Sequence, residues 1–261
     1  PLVEVIVEAH WDVQPLTIVR DGGLDPHIRV LIEGFGAAAK GMGFGFTERL
    51  VPEDFPLELL PHKPVVRYRP EAGRWPLFQL GPGIFTANIV PPYRGWRDFR
   101  STVAQGLNLL YSCYPAASQL LKMNRLELRY IDGFTQRHNF RNPAQFLREN
   151  IQIAFSLPEA LESSVVQGGE DGAKIRGQFG FPLAKMEGAL GDIKFTPGKV
   201  RDEPGMIFEF VVRSRKSNTP AGVEAALSWL DIAHEEVRNW FAQIATERLK
   251  ETFGAATELS S

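Results

Sequence analysis

Residues 65–90 read VVRYRPEAGRWPLFQLGPGIFTANIV and carry the clearest structural signal in the chain. Three short runs rich in β-branched and aromatic residues, at 65–69, 75–80 and 83–90, alternate with the sequences Pro-Glu-Ala-Gly and Gly-Pro-Gly. Runs of this length and composition are typical of strands, and proline and glycine between them favour tight turns. The stretch therefore predicts an antiparallel meander of three strands.

The segments on either side of this meander have different hydrophobic periods. Toward the amino end, residues 2–10 alternate apolar and polar side chains, which predicts a strand with one buried face. After Pro91-Pro92 the apolar positions recur every three or four residues, which predicts a helix that covers the meander. These helical positions are Trp96, Phe99, Val103, Leu107 and Leu110.

The second half of the chain repeats this plan. Residues 126–132 predict a further strand, and Asn142 before Pro143 is a suitable N-cap for a short helix. Three more strands are predicted at 174–184, 186–196 and 206–215, followed by a long helix from Val223. The apolar stripe of this helix is interrupted by one histidine and consists of Leu227, Leu230, His234, Val237, Phe241 and Ile244.

The predicted fold class is α+β, with antiparallel β meanders that are each followed by a long amphipathic helix. The repeated plan suggests two pseudo-repeated halves around a shared core, residues 1–155 and 173–261, separated by the polar, glycine-rich stretch 156–172. One continuous domain is the alternative, because the strands beside that stretch can equally join a single sheet. Residues 16–61 are irregular, and the glycines within 34–45 favour a loop there.

The composition argues against several classes of protein. Among 261 residues, 29 Lys or Arg and 31 Asp or Glu give a net charge of −2, which does not favour nucleic-acid binding. Cys113 is the single cysteine, which excludes an intrachain disulfide framework and fits a reducing cytoplasm. No apolar run approaches the ~18–20 residues of a membrane span, and the first residues lack a signal-peptide pattern. We expect a soluble, cytoplasmic protein without membrane association.

No motif in the sequence predicts a catalytic residue, a metal site or a cofactor. The glycines near Gly36 lack the Gly-Lys-Ser/Thr ending of a phosphate-binding loop, and the run after His234 does not make His-Glu-x-x-His. No serine lies in a Gly-x-Ser-x-Gly elbow. Asp25 and His27 are close in sequence, but their spacing is more typical of solvated loop residues than of metal ligands.

Three residues are candidate ligand contacts. His234 places a polar imidazole in an apolar helical stripe, so it either finds a hydrogen-bond partner in the core or faces a cavity. Trp229 on the same helix is a candidate aromatic wall. Arg129 lies on a predicted strand, where it either forms an internal ion pair with Asp132 or points toward a ligand. The core-histidine and ion-pair interpretations are favoured by the sequence.

Several segments together resemble a sporadically distributed, uncharacterised bacterial family. They are Pro-Leu-Val-Glu-Val-Ile at 1–6, Gln-Leu-Gly-Pro at 79–82, Tyr-Arg-Gly-Trp-Arg-Asp-Phe at 93–99, Leu-Glu-Leu-Arg-Tyr-Ile at 126–131, and Ala-His-Glu at 233–235. The resemblance spans nearly the whole chain and implies a bacterial, patchily inherited protein linked to mobile or defence genes. It implies no catalytic residue and no substrate. The glycine-rich stretch 34–45 departs from the family pattern.

Three function hypotheses follow from the sequence. The first is a noncatalytic binding or accessory protein that acts through a protein partner. The second is a binding protein for a small apolar ligand, in which a long helix grips a curved sheet around a pocket with His234, Trp229 and Arg129. The third is an enzyme with a histidine base, which requires that His234 meet carboxylates or another histidine.

Overall fold

The computed structural model describes residues 1–15, 23–153 and 175–253. The fold is α+β, as predicted: nine antiparallel strands of the described residues form one sheet, and the long helices cover one of its faces. The stretch 156–172 lies outside the described residues. Strands from both 1–155 and 173–261 belong to the sheet, and the division of the chain into two halves stays a prediction.

The elements follow one another with short connections in most of the described chain. The strands are β1 (Leu2–Trp11), β2 (Gln14–Pro15), β3 (Gly23–Leu24), β4 (Phe46–Arg49), β5 (Val66–Arg69), β6 (Leu77–Gly81), β7 (Ile84–Ile89), β8 (Met123–Phe134), β9 (Gly177–Pro182), β10 (Leu190–Val200) and β11 (Glu203–Arg213). The helices are α1 (Ile28–Gly41), α2 (Trp96–Cys113), α3 (Ala117–Leu120), α4 (Pro143–Asn150), α5 (Val223–Ile244) and α6 (Glu247–Glu251), with short 3-10 helices at Leu57–Leu59, Gln136–His138 and Lys216–Asn218.

The large sheet has the strand order β4-β5-β6-β7-β1-β8-β11-β10-β9, and β2 pairs separately with β3. The predicted meander is confirmed as β5, β6 and β7, which pair in sequence order. The first strand is confirmed as well, and it lies in the middle of the sheet, between β7 and β8. Its apolar residues Val5, Val7 and Ala9 are fully buried, because they face the helices.

The two long predicted helices are confirmed as α2 and α5, which contact each other. In α2 the predicted positions Phe99, Val103, Leu107 and Leu110 are buried, and α2 packs on β7. In α5 the stripe is buried at Leu227, Leu230 and Val237, and this helix packs on β8 and β11. Within the described residues, no helix combines the length and the hydrophobicity that crossing a membrane requires.

The short predicted helix is α4, and its start is the one that the sequence indicated. The Asn142 side chain accepts a hydrogen bond from the backbone N–H of Gln145 at 2.9 Å, and Pro143 occupies the first turn. A capped first turn satisfies a donor that would otherwise be unpaired.

The loop prediction for the glycine-rich stretch is wrong, because residues 28–41 form α1, which lies on β5, β6 and α2. Two of its glycines lie at contacts. A side-chain carbon added at Gly34 would be 3.5 Å from Cys113 of α2, an ordinary contact distance, and one added at Gly36 would be 3.0 Å from the Tyr68 ring. Gly36 therefore allows the helix to approach β5 closely.

Asp25 organises the start of α1 and is buried, in contrast to the solvated loop position expected from the sequence. Its carboxylate accepts hydrogen bonds from the Trp11 indole N–H at 2.9 Å, the Tyr114 hydroxyl at 3.2 Å and the His27 backbone N–H at 3.0 Å. These donors come from β1, from the end of α2 and from the residue before α1. The carboxylate therefore joins three elements at one end of the sheet.

Gly106 of α2 provides a test of helix packing on the sheet. A side-chain carbon at this position would lie 2.5 Å from the Phe85 ring and 2.6 Å from the Phe78 ring. We expect Gly106→Ala to lower the free energy of unfolding by about 1–3 kcal/mol, because overpacking outweighs the gain in helix propensity. Urea denaturation monitored by circular dichroism measures this change.

The matched control is Gly41→Ala at the end of α1, where an added carbon meets nothing within 4 Å. This variant should leave the free energy of unfolding unchanged or raise it by up to ~1 kcal/mol. Equal effects of the two alanines would contradict the close approach of α2 to the sheet.

Candidate functional site

The face of the sheet that points away from the helices is polar in its central strands, and we call it the open face. Successive side chains of a strand point to opposite faces, so the residues between the buried apolar positions of β1 and β8 lie here. The open face therefore presents Glu4, Ile6, Glu8 and His10 of β1 and Arg125, Glu127, Arg129 and Ile131 of β8.

A chain of hydrogen bonds crosses the open face from β5 to β1. The Arg67 guanidinium donates to Gln79 at 3.1 Å, and the Gln79 amide donates to the Thr86 hydroxyl at 3.1 Å. Thr86 donates to the Asn88 carbonyl at 2.6 Å, and Asn88 donates to Glu4 at 2.8 Å. These hydrogen bonds join β5 to β6, β6 to β7 and β7 to β1, and the bond between Thr86 and Asn88 lies within β7.

Arg129 continues the polar face beyond β1. Its guanidinium lies 2.6 Å from Glu127, and 3.7 Å from both Glu8 and Glu209. Glu127 is almost fully buried, and the neighbouring carboxylates raise the pKa of Arg129 although burial opposes them. The arginine is the cation shared by three carboxylates, and Asp132, the ion-pair partner expected from the sequence, is not among them.

Two pockets open on this face. One has a volume of about 370 Å³ and lies over β9, β10 and β11, where Arg176, Gln178, Lys194 and Glu209 are among its lining residues. The other has a volume of about 470 Å³ and lies over β6, β7, β1 and β8. We call the second one the central pocket. It is lined by Ile6, Glu8, His10, Gln79, Ile84, Thr86, Asn88, Arg125 and residues 61–64.

Glu8, His10 and Arg125 meet at one wall of the central pocket. His10 Nε2 lies 2.9 Å from Glu8 Oε2 and 2.8 Å from an Arg125 terminal nitrogen, which is itself 3.9 Å from Glu8. The carboxylate needs a donor and the guanidinium needs an acceptor, but one imidazole nitrogen serves only one of them at a time. The Arg125 Nε is a buried atom without a hydrogen-bond partner among the described residues.

The electrostatics of this wall keep His10 neutral and Glu8 ionised near neutral pH. Burial lowers the pKa of His10, the hydrogen bond to Glu8 raises it, and the nearby Arg125 lowers it, with a net decrease. Burial would raise the pKa of Glu8, but the His10 hydrogen bond and the charge of Arg129 outweigh burial and lower it. A neutral imidazole that is held by a carboxylate is the arrangement of a general base.

Residues 61–64 cover the central pocket and place a second histidine in it. The backbone N–H of His62 donates to the Pro82 carbonyl at 2.7 Å, and its ring Nδ1 donates to the Gly83 carbonyl at 3.0 Å. The His62 backbone has φ 57°, a left-handed conformation that is uncommon for a residue other than glycine. This conformation places the His62 ring with its centroid 5.7 Å from that of His10.

His234, the first residue predicted as a ligand contact, lies on the helix face of the sheet. Its Nδ1 is 2.8 Å from the Tyr130 hydroxyl, which lies 3.2 Å from the Tyr93 hydroxyl. Its ring stacks on Trp96 at 5.1 Å between ring centroids. The Trp96 indole in turn donates to Asp231 at 2.8 Å. The half-buried His234 thus has a hydrogen-bond partner and an aromatic neighbour.

Burial controls the ionisation of this aromatic cluster. It lowers the pKa of His234, raises that of Tyr93 to about 12, and raises that of Tyr130 well above its usual range. The cluster is therefore uncharged near neutral pH. The fold brings Tyr93, which precedes α2, together with Trp96 of α2, Tyr130 of β8 and His234 of α5.

The structure does not bring the three predicted contact residues together. Arg129 and Tyr130 are adjacent in β8, so their side chains point to opposite faces, and His234 contacts Tyr130. Arg129 instead lies on the open face, 3.7 Å from Glu8, which lines the central pocket. Trp229 is half-buried and packs against the core from α5. A ligand-binding role for each residue stays a prediction.

The hypothesis of a histidine base required that His234 meet carboxylates or another histidine. His10 has both neighbours, Glu8 and His62, whereas His234 has Tyr130 and Trp96. No group of three or more metal-ligating side chains was found within the described part of the chain. In the central pocket, His10 beside Glu8 can accept or donate a proton, and the other polar side chains can bind polar groups of a ligand.

The sequence analysis missed Glu8, His10, His62 and Arg125 as site residues. The alternation of β1 placed Glu8 and His10 correctly on one face, but an alternating strand usually has a solvated polar face. What distinguishes these residues from an ordinary solvated face is the position of their strands. The strands β1 and β8 are adjacent in the centre of the sheet, and both carry charged residues on the same face. Strand order cannot be read from the alternation of a single strand.

The comparisons with known proteins identify no family for this chain. No family model matches the chain, and no curated protein matches it either. Among solved structures, it is similar to the di-domain ARO/CYC StfQ from the steffimycin biosynthetic pathway, with 14% sequence identity and a TM-score of 0.22. That alignment covers 72% of this chain and 75% of the other. A similarity this low carries no argument about function.

Arg129 provides a test of the ion network on the open face. We expect Arg129→Met to lower the free energy of unfolding by about 2–4 kcal/mol, because three carboxylates lose their shared cation and one of them is buried. The exposed Arg97 of α2 is the control, and Arg97→Met should change the free energy by no more than ~0.5 kcal/mol. Chemical denaturation of both variants measures the difference. Equal, small changes in the free energy of unfolding of the two variants would contradict a structural role for Arg129.

His138 provides a test of the pH dependence of stability. Burial lowers its pKa to about 4, and the charge of Arg137 contributes to the decrease. In the unfolded chain a histidine has a pKa of ~6.5, so between these values the unfolded state binds more protons, and stability decreases as the pH falls. His138→Asn removes the titrating group and keeps an acceptor for the Thr135 backbone N–H, which the ring accepts at 3.1 Å.

The free energy of unfolding of the wild type, relative to that of His138→Asn, should be lower at pH 5 than at pH 7.5 by about 1 kcal/mol, after allowance for solvent screening. Thermal unfolding at several pH values measures it. Arg141→Gln, at an exposed position nearby, is the control and should show no such change. A difference that is independent of pH would contradict the lowered pKa.

Proposed function

We propose that this protein binds a small polar molecule in the central pocket of the open face. The observation that carries the proposal is the convergence of charged and polar side chains from four adjacent strands on one cavity of about 470 Å³. Small-molecule sites are concave, of this size, and combine apolar surface with a few well-placed polar groups. Ile6 and Ile84 supply the apolar surface here.

The architecture of the pocket supports binding in a preformed site. Its floor is the middle of the sheet, where backbone hydrogen bonds on both sides hold each strand in place. Its cover is the 61–64 segment, which is attached to the turn between β6 and β7 by two hydrogen bonds from His62. Side chains fixed in this way lose little conformational entropy when a ligand binds.

The proposal differs from the apolar-ligand hypothesis in the face that the ligand occupies. The side of the sheet under α5 is filled by aromatic packing, in which Phe134, Phe208 and Phe210 are fully or almost fully buried. Phe241 of α5 stacks on Phe134 with 6.4 Å between ring centroids. The open face offers space and polar groups instead. A protein partner, the first sequence-based hypothesis, stays a prediction.

The central pocket can be tested by filling it. Ile6 is half-exposed and lines the pocket, so Ile6→Trp should occupy the space that a ligand needs. We expect native mass spectrometry of the wild-type protein to detect a small molecule that dissociates on mild denaturation. The Ile6→Trp protein should have lost this molecule, with an occupancy reduced by a factor of about ten or more.

Ile131→Trp is the matched control, because Ile131 is a half-exposed residue of the open face that does not line the central pocket. This variant should retain the molecule. Retention by both tryptophan variants would place the ligand elsewhere. A wild-type protein that carries only another protein chain would favour the accessory-protein hypothesis over the pocket.

A further inference from the structure

The central pocket contains cationic hydrogen-bond donors that lack acceptors within the protein. Gln79, Thr86 and Asn88 direct their hydrogen bonds to one another and to Glu4. Besides the His62 ring, the groups with remaining capacity are cationic. The Lys63 ammonium has no partner among the described residues, and the Arg125 guanidinium has a buried Nε without an acceptor.

From this imbalance we infer that the ligand of the central pocket carries an anionic group, a carboxylate or a phosphate, which binds the Arg125 guanidinium with Lys63 at the rim. The inference rests on the proposed function and names its ligand class. Planar guanidinium groups bind carboxylate and phosphate oxygens through two parallel N–H donors. The Arg125 side chain is 43% exposed, so its terminal nitrogens can meet an anion in the pocket although its Nε is buried.

The contacts of His10 give a second, independent argument. Its Nε2 is within 2.9 Å of an acceptor, Glu8, and within 2.8 Å of a donor, Arg125. A neutral ring satisfies one contact and leaves the other unfavourable. An anion that takes over the Arg125 donors removes this conflict, because His10 Nε2–H can then donate to Glu8 alone. Ligand binding thus satisfies groups that the protein alone cannot satisfy.

Glu8 is the negative charge that an anion would meet in the pocket. Both of its oxygens already face partners, since Oε2 contacts His10 at 2.9 Å and Oε1 lies 3.7 Å from Arg129. Its charge is therefore partly compensated by Arg129 and Arg125. The cations that remain for the ligand are Arg125 on β8 and Lys63 on the covering segment.

The same geometry assigns separate roles to the cations. Arg125 extends from the pocket wall and determines orientation through its two-donor fork, whereas the exposed Lys63 ammonium acts as a point charge at the entrance. Loss of the Arg125 guanidinium should therefore weaken ligand binding more than loss of the Lys63 ammonium.

The test uses inorganic phosphate and malonate as probes, with the neutral sugar glucose for comparison. Each is titrated into the full chain labelled with nitrogen-15, and the side-chain resonances of arginine and histidine are followed. We expect at least one anion, and not glucose, to shift the Arg125 Nε and His10 ring signals with saturation. Phosphate alone would indicate a phosphate ligand, and malonate alone a carboxylate ligand.

The variants are Arg125→Gln, Arg125→Lys and Lys63→Gln, with the exposed Arg94→Gln as the control. Arg125→Gln should weaken anion binding about tenfold or more, Arg125→Lys by less, and Lys63→Gln by about threefold, while Arg94→Gln should change nothing. Lys63 is exposed, so its variant tests the inference even where an Arg125 variant is unstable.

Equal binding of the anions by Arg125→Gln, Lys63→Gln and Arg94→Gln would overturn the inference. So would a copurified molecule without an anionic group that is lost from Ile6→Trp, which would leave the pocket in place and refute only the ligand class. Retention of the molecule by Ile6→Trp would refute the pocket itself. The two failures are therefore distinguishable.

Discussion

The pairing of β1 with both β7 and β8 is the constraint on which the other features depend. It places a strand that alternates in character, apart from Ile6, in the middle of a nine-stranded sheet, so one face of the sheet must bury apolar residues and the other must accommodate charge. A shift of one residue would exchange Val7 and Glu8 between the faces. The helices α2 and α5 and the central pocket therefore depend on the same register.

The polar open face is possible because its charges compensate one another across strands. Arg129 is surrounded by Glu8, Glu127 and Glu209, and the amide and hydroxyl groups of β6 and β7 form a directed chain. A buried charge without a partner is strongly unfavourable, so such a face needs an almost complete set of partners. At the Arg125 wall the set is incomplete, and this is why the pocket rather than the whole face is the candidate site.

Local sequence patterns predicted most of the framework. The meander at 65–90, the long helices and the Asn142 cap follow from periodicity and turn chemistry, which act over a few residues. The helix α1 was missed because glycine has a low helix propensity in isolation. A side-chain carbon added at Gly36 would lie only 3.0 Å from the Tyr68 ring, and this contact joins positions far apart in the chain.

The sequence by itself determined that alternating strands and amphipathic helices form an α+β fold, and which face of the first strand and of the two long helices is apolar. The tertiary structure alone decided which strands are neighbours, and hence that Arg129 and His234 lie on opposite faces while Glu8, His10, His62 and Arg125 share a pocket. The physical reason is that periodicity assigns a side chain to a face of its own element. Which side chains meet on that face depends on strand order and on the 61–64 segment, which are fixed by contacts distant in sequence.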